Sequence, residues 1–228
     1  MRRPVALYPF HLLLVCLIIF ICTTGYCAAQ DIKGPVPGII ISAAENTEDA
    51  IDRYRAGDWE GAKKVVDDIT LKSQDIEDML ISSTLPTSSL YEFGYLLFRL
   101  NVLTSDRKSA DQAALTANQI TALLLDLQNL YEQIIPGEIG WMDYLGREIA
   151  LLSKVGESHG LLNKRIEQLS SVWGRLKPRV EEKKGLEVIA EMDRTINELK
   201  VQRSHSRITI LADTMLELVD KLETLFEK

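Results

Sequence analysis

Residues 107–135 read RKSADQAALTANQITALLLDLQNLYEQII. Within this stretch Ala113, Ala117, Ile120, Leu124, Leu127, Tyr131 and Ile134 recur at spacings 4-3-4-3-4-3. A repeat that alternates three and four keeps every member on one stripe of a 3.6-residue helix. A half-buried strand would alternate by two, and no region of the chain does so convincingly. Such a stripe predicts a helix packed at a shallow angle against its neighbours, as in bundles and coiled coils. Thr104-Ser105-Asp106 supplies a cap before it, and Pro136-Gly137 a stop after it.

The same beat runs outward in both directions. A first helix is expected from about Ile40 to Arg55, stopped at Ala56-Gly57-Asp58. A second, about Trp59 to Ser82, puts Ala62, Val65, Ile69, Ile76 and Met79 on one stripe that Lys72 interrupts. The run SSLYEFGYLLFRLNVL is apolar nearly all round, which predicts a central, heavily buried helix. Toward the C-terminus, Met142, Leu145, Ile149 and Leu152 keep the beat, then Leu162, Ile166, Leu169, Trp173, Leu176 and Val180. Between them Gly156 and Gly160 favour a turn over a kink. Lys177-Pro178 reads as a further break or a helix start. Leu186, Ile189 and Ile196 lead to a polar patch, KVQRSHSR, after which Ile208, Leu211, Met215, Leu218, Leu222 and Leu225 resume. The fold class expected is all-α: an elongated, mostly antiparallel helical bundle of six or seven helices with heptad packing, a single domain over residues 39–228.

The segment DRYRAGDWEGAKKVVDDI, inside residues 50–69, resembles the inter-helix turn of a tetratricopeptide repeat. Tyr54, Gly57, Asp58, Trp59 and Ala62 occupy the matching spacing. The resemblance implies a helical hairpin and, through it, a partner-binding scaffold. No matching turn recurs at the 34-residue period of that family, so no array of repeats and no peptide groove is implied.

The N-terminus has a different character. Arg2 and Arg3 precede the apolar block LLLVCLIIFIC, and Cys27-Ala28-Ala29 offers small residues at −3 and −1 of a cleavage site. This is the pattern of a secretory signal peptide over residues 1–29, cut between Ala29 and Gln30. The rival reading is an uncleaved signal anchor. Tyr26 before Cys27 argues against a lipid anchor. Residues 30–38, with two prolines and two glycines in DIKGPVPG, read as a linker. All three cysteines, Cys16, Cys22 and Cys27, lie in the leader. A chain cut at Ala29 therefore has no disulfide, thiol nucleophile or Cys-type zinc site.

The sequence holds 26 Lys+Arg and 33 Asp+Glu, and removing Arg2 and Arg3 leaves a net charge of 24 − 33 = −9. Nucleic acid is a poor partner for such a chain, because that affinity rests on neutralising phosphates. Residues 45–78 carry eleven acids and five bases, while residues 175–207 carry nine bases and six acids. Solvated helix faces account for this most simply; electrostatic docking of a partner is the sharper reading.

Chemistry-bearing constellations are few. His159 has Val155, Gly156, Leu162 and Asn163 at helical distance, so the Glu-x-x-His pair of di-metal bundles is missing there, as it is at His205. His205 lies in a basic patch with Arg203 and Arg207. Met142, Met192 and Met215 could in principle ligate haem but fall on or near apolar stripes, where methionine is usually core. Glu45, Glu48, Asp49 and Asp52 lack EF-hand spacing. Tyr91, Phe93, Tyr95 and Phe98 with Trp59 could line a ligand pocket, with an aromatic core as the simpler reading. No nucleophile elbow or phosphate loop is present. The expectation is a non-enzymatic, exported protein, periplasmic or extracellular, that needs no cofactor or metal. It would bind another protein or itself through helix seams and touch membrane only through an uncleaved leader. The alternative is a sensor-like bundle holding a solute, metal or haem between helices. Candidate contact residues are Trp59, Tyr91, Tyr95, His159, Arg203, His205 and Arg207.

Overall fold

A computed structural model describes residues 34–227, and these form helices joined by short turns. Nine are present among the described residues: α1 Gly38–Ala56, α2 Trp59–Leu71, α3 Ser73–Ser82, α4 Thr87–Asp106, α5 Ala110–Gln128, α6 Gly137–Lys154, α7 His159–Glu182, α8 Leu186–Val201 and α9 His205–Phe226. No strand is found among them; one isolated bridge joins Pro35 to Glu132. The signal-peptide and cleavage-site residues, Ala29 and Gln30 included, lie outside the described residues, as does the linker up to residue 33. None of the described helices is long and apolar enough to cross a membrane.

The all-helical class stands, but the six or seven helices expected become nine. One difference lies at Lys72, the residue that broke the stripe. Its backbone (φ −89°, ψ −6°) leaves the regular helix there and divides the expected helix into α2 and α3. The second is the polar patch, whose residues 202–204 separate α8 from α9. The third is the stop after Gln128. Tyr131 and Ile134 leave the helix, and the Glu132 N–H instead donates to the Gly34 carbonyl at 3.0 Å. Ile134 is consequently 91% exposed. Against expectation, Pro178 neither breaks nor starts a helix: α7 runs through it. The true stop is Lys183-Lys184-Gly185, where Lys184 takes a left-handed φ of 63°.

The α1–α2 hairpin is built as its residues predict. Gly57 takes φ 75°, which a side chain would resist, and Asp58 caps α2 by accepting from the Gly61 N–H at 2.9 Å. Trp59 meets Tyr54 edge-on at 5.4 Å. Tyr54 is buried, its hydroxyl 2.5 Å from Thr104 Oγ1 on α4.

Two apolar clusters form the core. One joins α1 to α5 through residues such as Ile51, Ile69, Leu100 and Ile120. The other joins α6 to α9 through Met142, Leu169, Ile196 and Met215. They meet at the α5–α6 pair, where Leu125 belongs to the second cluster and Leu151 to the first. Gly146 lets α9 approach closely: a Cβ there would lie 1.9 Å from Met215 Cε.

Candidate functional site

Helix α4 departs most from its expected place. Phe93, Leu96, Leu97 and Leu100 are buried against the first cluster. Its other face is not buried at all. Tyr91, Tyr95, Phe98 and Val102 are 74%, 61%, 68% and 43% exposed. They are spaced 4-3-4, the seam spacing of a packed helix, but no described element covers them. Gly94 lies between them with open space where a Cβ would stand. The aromatic residues are therefore neither a shared core nor a pocket. Phe93 faces inward, Trp59 packs on Tyr54, and Tyr91 and Tyr95 face out.

Of the larger cavities between helices, two adjoin the ion pairs of Arg147 and Arg165. The first, about 430 Å3, is bordered by α1, α5, α6, α9 and the turn before α6. Glu45, Glu48, Asp143, Asp220 and Glu223 line it with a single cation, Arg147. Arg147 Nη2 donates to Glu48 Oε2 at 3.2 Å. Its Nη1 sits 2.7 Å from Asp143 and 3.1 Å from Glu48, in ion-pair contact without hydrogen-bond alignment. Burial pushes the Asp143 carboxyl up to about 7; Arg147 opposes the shift while Glu48, Glu223 and Asp220 add to it. Glu223 is raised too, by burial first and then by Asp220 and Glu48. Burial disfavours the Arg147 cation, but Asp143 and Glu48 more than offset this and hold it charged. Among the described residues no group of three or more His, Cys, Asp or Glu side chains converges closely enough to hold a metal ion.

The second cavity, about 450 Å3, lies between α5, α6 and α7. Trp141 and Tyr144 meet edge-on at 5.4 Å and 88° along one side of it. Arg165, Gln168 and Arg175 line it from α7. Behind it, the Glu148 side chain is only 5% exposed; its Oε1 accepts from Arg165 Nε at 3.0 Å and stands 2.9 Å from Nη2 in ion-pair contact. Burial and the Glu148 charge keep the Tyr144 phenol protonated well above its usual range.

The structure brings two of the predicted residues together. His159 at the start of α7 and His205 at the start of α9 stack with ring centroids 4.9 Å apart. His205 Nδ1 lies 3.1 Å from the Ser153 carbonyl oxygen, and a carbonyl only accepts, so this contact selects the Nδ1–H form. Ser153 Oγ donates back to the His205 carbonyl at 2.7 Å. Arg203 closes the α8–α9 turn by donating to the Gln202 carbonyl at 2.9 Å, and Arg207 pairs loosely with Glu198 at 3.5 Å. Both arginines are exposed. Met142, Met192 and Met215 are fully buried among apolar side chains.

Sequence reasoning missed Asp143, Arg147, Glu148 and Arg165. Their signal is charge inside an apolar helix: Asp143, Arg147 and Glu148 interrupt the otherwise greasy run WMDYLGREIALL. Comparison with known proteins finds no matching family, no matching curated protein and no matching solved structure.

Proposed function

We propose that the chain is an exported, non-catalytic helical-bundle protein that serves as a protein-interaction or scaffold module at the cell envelope. Its helices run mostly antiparallel, as their short connections favour. The single observation that carries this reading is the bare 4-3-4 stripe Tyr91–Tyr95–Phe98–Val102 on α4. Large aromatic side chains in contiguous exposed rows are unusual on a monomer and common at interfaces. The seat is a helix seam, and its occupant is α4 of a second copy. The stripe is uncharged and self-complementary, so it lets two net-negative chains meet with little repulsion. Gly94 admits close backbone approach, and a 20-residue helix offers a seam of about 30 Å. Export rests on the leader pattern of residues 1–29.

Light scattering on the eluting protein tests this. The wild type should run at twice the monomer mass, and Phe98→Glu at the monomer mass with unchanged helicity. A wild type that stays monomeric at high concentration contradicts the proposal.

A second reading, a small ligand held between helices as in sensor-like or solute-binding bundles, is favoured by the two inter-helix cavities of about 430 and 450 Å3. Their size is in the range of small-molecule sites.

A further inference from the structure

The cavity between α5, α6 and α7 has a built polar wall. Arg165 is held by two hydrogen bonds, Nε on the buried Glu148 and Nη1 on Gln168 Oε1 at 2.8 Å, and its Nη2 stands in ion-pair contact with Glu148. A guanidinium fixed in this way loses little freedom when it meets a further acceptor. Glu148 also neutralises its charge. Arg175, ten residues along the same helix, is different. Its hydrogen bond among the described residues goes to Ser171 Oγ at 3.3 Å, and no described carboxylate pairs with it. The cavity therefore carries an unneutralised positive charge in a chain whose net charge is −7. The polar side chains lining it, the Trp141 indole and two guanidinium groups among them, are rich in donors. The two aromatic rings give it a flat apolar side, and Ala122 of α5 leaves the room.

We infer that this cavity binds a small aromatic carboxylate, its ring against Trp141 and Tyr144 and its carboxylate on Arg175 and Arg165. This rests on the reading of a ligand held between helices, and names its site and chemistry. A carboxylate offers planar, paired acceptors that match a guanidinium fork. An aromatic body finds both stacking and edge contact with the rings. The cavity of acids beside Arg147 has the opposite sign and would repel the same molecule.

The test uses the full chain with 4-hydroxybenzoate and indole-3-carboxylate. Their neutral amides serve as matched controls, and benzylamine as a cation of similar size. Calorimetry and thermal shift should show millimolar or tighter binding of at least one carboxylate and much weaker binding of its amide. Arg175→Gln, at an exposed side chain, should weaken that binding by about tenfold or more. Ala122→Leu should remove it while leaving the unliganded melting temperature near the wild-type value. No heat and no shift from either carboxylate would overturn the inference. So would equal binding of acid and amide, or binding that survives both substitutions. Binding of benzylamine alone would overturn it too, yet leave the broader ligand reading standing.

Discussion

Above pH 7 Asp143 carries a charge that its surroundings oppose: its carboxyl is held up at about 7 against an ordinary 3.8. The folded state thus binds a proton that the unfolded chain has already released. Stability from this group is present in full below about pH 4 and is lost as pH rises toward and through 7. A shift of about three units corresponds to roughly 4 kcal/mol. Asp143→Asn removes the ionisation. We predict that urea unfolding at pH 8 will find the variant more stable than the wild type by up to about 4 kcal/mol. At pH 4.5 the difference should largely vanish. A variant less stable at pH 8 would mean that the Arg147 ion pair outweighs the burial cost. The cluster was not legible in the sequence. Glu48, Asp143, Arg147, Asp220 and Glu223 come from three helices far apart in the chain, and only packing makes them neighbours.

Two glycines on neighbouring helices should respond in opposite ways to the same change. Gly174 lies within α7, exposed, with open space where a Cβ would stand. Gly174→Ala should gain up to about 1 kcal/mol, because alanine loses less backbone entropy in a helix. Gly146→Ala should lose about 1–3 kcal/mol, because Met215 and Leu216 must repack around the new Cβ. Thermal unfolding of the two variants beside the wild type reads both signs. At the scale of elements the sequence was informative where one stripe was apolar and the rest polar. Every expected stripe position from Met142 to Val180 is buried. It was uninformative where charge or shape acts locally. Lys72 ends α2 by one residue's backbone angle, and Pro178 is carried inside α7 because the flanking turns still bond. The run of α4 is apolar on all sides, so its pattern could not say which side the fold leaves bare.

That bare side decides the account of the whole molecule. Two apolar clusters, meeting at α5 and α6, bury the inward stripes and leave Tyr91, Tyr95, Phe98 and Val102 facing solvent. Covering a large aromatic side chain is worth about 1.5–3 kcal/mol, enough for a few residues to favour association. The local resemblance to a tetratricopeptide turn fits a hairpin that holds α4 in place: Tyr54 reaches Thr104 from α1, and Glu60 of α2 pairs with Arg107 just past the end of α4.

The most direct test places a photo-reactive p-benzoylphenylalanine at position 95 of the full chain and maps the cross-link by mass spectrometry after irradiation. The account predicts a covalent dimer joined between position 95 of one copy and the α4 stripe of the other. Irradiation that yields only monomer, or a dimer joined at a surface remote from α4, would contradict it.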